Sequence, residues 1–171
     1  MALQDLIGKR KNAIIERCAR LVCETYGAET ASILKTERDL FTNPVGAAIR
    51  SAVEALAGVL TGEITMPEMQ TSLDPIVRVR AVQDLLPSEA VAFVFLLKQA
   101  VREELSSELR QNGYTAAELE GVDRQIDQMA LVTFDLYAAC RERIGEIRVK
   151  EARAAAERLT RVVRAMSKGS E

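Results

Sequence analysis

Arg78 and Arg80 stand in the densest mixture of polar and apolar side chains in the sequence, the stretch from Asp74 to Arg102. Guanidinium groups hold carboxylates and other oxyanions through paired N–H donors. Two nearby motifs, Asn43-Pro44 and Pro87-Ser88-Glu89, have the form of helix N-termini, whose free N–H groups also attract anions. Asn43, Arg78, Arg80, Gln83 and Ser88, with Phe93 and Phe95 as apolar walls, therefore make a candidate pocket for a small anion. The two arginines are two residues apart, so on a helix they point roughly 200° apart and cannot clamp one ligand between them. Each is as well suited to satisfying a carboxylate or a helix C-terminus.

Other chemistry is scarce. The chain contains no histidine and no tryptophan, which removes the commonest general base and metal ligand and the usual proximal haem ligand. No glycine-rich phosphate loop, nucleophile elbow or paired-cysteine metal spacing occurs. Asp84 and Glu89 flank Leu85-Leu86-Pro87-Ser88 and suit helix capping better than proton exchange. Cys18 and Cys23 lie about 140° apart around a helix, so they do not pair readily. With Cys140 they read as reduced, buried thiols, the alternative being a thiol redox sensor. Tyr26, Tyr114 and Tyr137 are too scattered for a base-stacking platform. The expectation is a protein that is not an enzyme, with no cofactor, no metal and no nucleic-acid partner.

The elements that must position these residues are helical. Four prolines and nine glycines are few for 171 residues, against frequent Ala, Leu, Glu and Arg. Leu3, Ile7, Ile14, Cys18 and Leu21 form one stripe, opposite Lys9, Arg10, Lys11, Glu16, Arg17 and Arg20, with Gly27 as a stop. A polar connection spans 29–40. Asn43-Pro44 opens a helix through Val45, Ile49, Ala52, Val53, Leu56 and Leu60 that Gly62 closes. Asp74-Pro75 repeats that grammar, and 76–81 is read as helix rather than strand because a lone strand has no partner. Pro87 opens a helix to about Gln111, enclosed over 90–97 and surface-exposed beyond.

The last segment starts at Thr115 with Glu118 three residues on, a capping box. One seam comprises Leu119, Val122, Ile126, Met129, Thr133, Leu136 and Cys140. A second comprises Ala152, Ala155, Leu159, Val162 and Met166, out of phase with the first, with Gly145 as a candidate bend. Charge divides the chain at the same place. Residues 1–140 hold 14 basic and 20 acidic side chains, and 141–168 hold 9 and 4. The predicted division is a body, 1–140, and a basic extension, 141–171. An unbroken helix from 115 to 168 spans roughly 80 Å, whereas the body has a radius of gyration of about 13 Å. A straight helix must overhang, and a homodimer covers it most simply, through Ile126, Met129, Leu136, Cys140, Leu159, Val162 and Met166. A structural adaptor that uses the basic helix to bind a larger assembly is the other reading. No 18-residue apolar run or signal-type N-terminus is present, so a cytoplasmic protein without membrane insertion is expected.

The run Asp74-Pro75-Ile76-Val77-Arg78-Val79-Arg80-Ala81-Val82-Gln83-Asp84-Leu85-Leu86-Pro87-Ser88-Glu89-Ala90 resembles the N-terminal domain of RsbT co-antagonist proteins of the RsbRD type. Phe93-Val94-Phe95-Leu96-Leu97-Lys98 and Phe41-Thr42-Asn43-Pro44-Val45-Gly46 fit the same pattern, and the similarity runs from about Ile14 to Tyr137. The resemblance implies an all-α, globin-like helical bundle without haem, with a long C-terminal helix. It implies a signal-input domain of stressosome proteins that dimerises and reports to a protein partner. Complete members continue into a sulfate-transporter/anti-sigma-antagonist output domain, whereas this sequence stops at Glu171, where the connecting helix hands over. Short forms also occur beside respiratory sulfur-metabolism genes, which implies association with a redox complex as an alternative setting.

Overall fold

A computed structural model describes residues 2–26, 43–83, 85–111, 114 and 116–168. The expected stop at Gly27, the connection 29–40, Asp84, Gly113 and the Thr115 cap lie outside the described residues. Among the described residues all regular structure is helical: α1 (Leu3–Glu24), α2 (Pro44–Thr61), α3 (Met66–Val82), α4 (Pro87–Val91), a 3-10 turn (Ala92–Phe95), α5 (Leu96–Glu104), α6 (Ser106–Gln111) and α7 (Ala116–Lys168).

Helix α2 lies between α1 and α3, and α1 also packs on α5. By length and composition α2 could cross a membrane. Here its apolar side chains, among them Ile49, Val53 and Leu56, are buried in the protein's own core. Its N-terminus is set locally, because the Asn43 side chain accepts the Gly46 N–H at 2.8 Å and Pro44 follows without an N–H to orphan. Gly62 ends it in the left-handed region, at φ 75°, which glycine adopts without steric penalty.

Asp74-Pro75 does not begin a helix, contrary to expectation. Pro75 lies inside α3, which starts one motif earlier. There the Glu68 carboxylate accepts the Thr65 N–H at 2.7 Å, and Pro67 stands in the first turn. An internal proline costs about 3 kcal/mol. Complete burial of Met69, Leu73 and Ile76, about 1.5–3 kcal/mol for each such side chain, offsets it. Asp74 instead pairs with Arg78 at 2.6 Å.

The helix expected from Pro87 to Gln111 is also broken. It tightens to 3-10 geometry over 92–95 and is interrupted again at Leu105, whose side chain is completely buried. Ala92 and Phe95 are exposed, so the 90–97 stretch is not enclosed throughout. Ion pairs stitch the bundle from outside: Arg10 to Glu108 and Arg17 to Glu103 tie α1 to α6 and α5, and Lys98 to Asp127 and Arg102 to Asp123 tie α5 to α7. Hydrogen bonds from the Ser107 hydroxyl and from Arg10 pull the Glu108 carboxyl down to about 2.

Helix α7 runs 53 residues without interruption, through Gly145. Its inner face, Ile126, Met129, Ala130, Thr133 and Tyr137, is buried against the body. Past Ile144 nearly every residue is exposed. The two seams are out of phase because they are two faces of one helix. Counting back by the seven-residue repeat, the second seam passes from Ala152 through Gly145 and Ala138 to Leu131, and from Ala155 through Arg148 and Arg141 to Phe134. Leu131 is 67% exposed and Phe134 45%, continuous in register with Leu159 at 66%, Val162 at 54% and Met166 at 69%.

Two glycine substitutions separate these local environments. A Cβ on Gly46 falls 2.2 Å from the Asn43 amide nitrogen, whereas one on Gly145 meets nothing within 4 Å. Gly46→Ala should destabilise the chain in urea, by about 1 kcal/mol or more, because the cap is displaced. Gly145→Ala should raise helicity and stabilise by up to about 1 kcal/mol. Loss of helix content on Gly145→Ala would show that the helix bends there.

Candidate functional site

The α3–α4 connection, residues 83–86, is where the body meets α7, and side chains from several elements converge on its backbone. Arg141 of α7 donates to the Ala81 carbonyl at 2.9 Å, supplying a partner at the end of α3. The Tyr137 hydroxyl of α7 donates to the Leu85 carbonyl. Arg80 projects from the last turn of α3, and its Nη1 donates to the carbonyl of Glu89 at 3.1 Å and more weakly to that of Ala90 at 3.5 Å. In a continuous α-helix those carbonyls would accept from Phe93 and Val94. The chain passes into 3-10 geometry where Arg80 engages them.

Arg80 is 97% buried, being 3% exposed. Its guanidinium carbon lies 5.1 Å from the Tyr26 ring centroid and 4.8 Å from that of Phe93, within range of cation–π attraction to both rings. Among the described residues its Nε and Nη2 have no hydrogen-bond partner, and neither does the buried Tyr26 hydroxyl. Of this buried cation, Nη1 alone is satisfied by those residues.

Of the predicted pocket residues, the structure brings Arg80 and Phe93 together and disperses the rest. Arg78 is exposed and paired with Asp74. Gln83 and Ser88 are exposed. Phe95 is 44% exposed, with the Lys98 ammonium 5.6 Å from its ring centroid. Asn43 is occupied as a cap. At the two helix N-termini side chains already cap one N–H each: Asn43 takes the Gly46 N–H, and at the five-residue α4 the Glu89 carboxylate accepts the Leu86 N–H at 3.1 Å. Sequence reasoning missed Tyr26, Tyr137 and Arg141. For Tyr137 the signal was present, since a 3.6-residue period carries the inner face from Ile126 and Met129 through Thr133 to 137 rather than to Leu136.

Among the predicted dimer residues, Ile126 and Met129 are fully buried in the protomer's own core, and Leu136 and Cys140 pack half-buried against it. None of these four forms an outward face. Leu159, Val162 and Met166 do. Where the outer stripe meets the body, a groove of about 400 Å³ is lined by Leu85, Leu86, Pro87, Phe134, Tyr137, Ala138 and Arg141. Leu86 is exposed at its rim, and Val82, also exposed, closes the preceding helix.

Cys18 and Cys23 are buried. Burial raises the Cys18 thiol to about 12, which withholds the thiolate that redox sensing requires. Among the described residues no group of three or more acidic or cysteine side chains converges as a metal site.

The profile of the RsbT co-antagonist protein rsbRD N-terminal domain matches residues 12–152. That span takes in the whole body from within α1, the Arg80 cluster and the first turns of the overhanging helix. No curated protein and no solved structure matches the chain.

The thiol environment has a direct test. Because the folded Cys18 keeps its proton above its ordinary value near 9, stability should fall as pH rises from about 9 towards 12, where the unfolded chain alone releases that proton. Iodoacetamide at pH 8 should label native Cys18 far more slowly than urea-unfolded Cys18, read by peptide mass spectrometry. Equal rates would show that the thiol is open to solvent. With an all-α, globin-like bundle, a continuous C-terminal helix and a family match over most of its length, this chain belongs to the RsbT co-antagonist rsbRD N-terminal domain family.

Proposed function

We propose that the protein is a non-enzymatic, cytoplasmic signal-input domain of the stressosome co-antagonist kind, acting through protein–protein contact as a homodimer. Family membership supports a regulatory domain of this type. The observation that carries the dimer is the outer stripe of α7, in one seven-residue register from Leu131 to Met166 and exposed at Leu131, Phe134, Leu159, Val162 and Met166. A seven-residue apolar repeat is what a second helix covers. Each such side chain contributes about 1.5–3 kcal/mol when buried. A symmetric seam buries each of them twice, enough to exceed an association cost of roughly 4–15 kcal/mol.

The mechanism follows from what α7 touches. Tyr137 of its inner face and Arg141, at the edge of the outer stripe, hold the α3–α4 connection, and the outer face is the dimer surface. A change in the packing of α4 and the 3-10 turn thus alters the seat of α7, and the dimer reports it to a protein partner. The basic extension, with Arg153, Arg158 and Arg161 on exposed positions, suits an acidic surface on that partner.

Leu159→Glu with Val162→Glu in the full chain alters only exposed positions, so circular dichroism should retain the helical fold. Light scattering should give twice the chain mass for the parent and the single-chain mass for the variant. A parent that is monomeric at every concentration would remove the dimer.

A further inference from the structure

Arg80 poses a problem that the bundle leaves unsolved. An arginine keeps its charge inside a protein, and a buried charge is strongly destabilising unless it is paired. Among the described residues this one meets no carboxylate: its contacts there are two backbone carbonyls, both beside Nη1, and two aromatic rings. The unsatisfied donors are Nε and Nη2. They share one edge of the planar guanidinium, the edge whose parallel N–H bonds engage two oxygens of one anion side-on. The third orphan is the hydroxyl of Tyr26, carried by one of the two rings against which the guanidinium rests.

We propose that the Nε–Nη2 edge of Arg80, with the Tyr26 hydroxyl as a further donor, binds a small oxyanion through two of its oxygens. The shared chemistry is that of a carboxylate or an inorganic oxyanion. The guanidinium carbon lies within cation–π range of both the Tyr26 and Phe93 rings, which restrains where the fork sits. Chloride, a single-centre ion, cannot satisfy both parallel donors in the same way.

The position gives the site a consequence. Arg80 is joined in sequence to Ala81, whose carbonyl is held by Arg141 of α7, and its side chain holds α4 through Glu89. An anion on the free edge shares with α4 the guanidinium that restrains it through Nη1. Occupancy is therefore felt at the connection on which α7 rests. The binding claim itself does not rest on the dimer.

The test uses the full chain, labelled with nitrogen-15 and titrated with sodium formate, acetate, sulfate or phosphate against sodium chloride at matched ionic strength. Thermal midpoint and the Arg80 Nε–H resonance are read together. The proposal predicts a saturable rise in midpoint by several degrees and a shift of that resonance with at least one of these oxyanions. A response to formate and acetate alone assigns a carboxylate, and one to sulfate or phosphate assigns an inorganic anion. Tyr26→Phe should weaken the apparent affinity about tenfold, the loss of one hydrogen bond, and Arg80→Met should abolish the response. If Arg80→Met does not fold, Tyr26→Phe and the resonance decide. An oxyanion response no different from chloride, or one unchanged in Tyr26→Phe, overturns the proposal.

Discussion

A single helix with two apolar faces sets the terms for the rest of the molecule. Helix α7 is 53 residues long, roughly 80 Å, and the body covers only one side of its first half. Inward, Ile126, Met129, Thr133 and Tyr137 complete the core. Outward, Leu131, Phe134, Leu159, Val162 and Met166 stay largely exposed. Helices in proteins draw most of their stability from packing of an apolar face, so the overhang needs an external surface to be more than a fraying end. The proposed dimer supplies that surface, and the remainder of the fold then serves to set where α7 sits.

That setting is made by a small number of polar contacts. Arg141 and Tyr137 reach from α7 to carbonyls on either side of the α3–α4 connection, at Ala81 and Leu85. Arg80 reaches in the opposite direction, from α3 to the carbonyls of α4. These partly buried hydrogen bonds are directional and costly to leave unmade, so they tie the connection, α4 and α7 to one another. The groove beside Leu86 and Phe134 lies at the junction of this set with the outer stripe. Arg80 is thus separated from α7 by one residue of backbone and the hydrogen bond from Arg141 to the Ala81 carbonyl.

What the sequence made legible was local. The Asn43 cap, the Gly62 stop and the period of α1 and α2 depend on neighbours in the chain, and each stands as the spacing predicts. The overhang was legible too, because helix length against body size is arithmetic. The misreadings share another cause. Asp74-Pro75 and Met66-Pro67-Glu68 carry similar start signals, and burial of Met69 and Leu73, not propensity, chooses between them. The break after Val91 coincides with a tertiary contact from Arg80, which no local pattern encodes. Ile126 and Met129 were assigned outward because a 3-4 spacing gives the period of a seam but not which way it faces. Within the candidate site, Arg80 and Phe93 were found by composition. Tyr26 was not, being 54 positions away in sequence from Arg80 and joined to it only by packing.

If another copy of this chain covers the outer face of α7, amide hydrogen exchange across residues 147–166, followed over a wide range of protein concentration, should show protection that rises with concentration. Core amides of α2 should stay protected throughout. Exchange over 147–166 at the rate of an isolated helix, unchanged at the highest concentration, would contradict that arrangement.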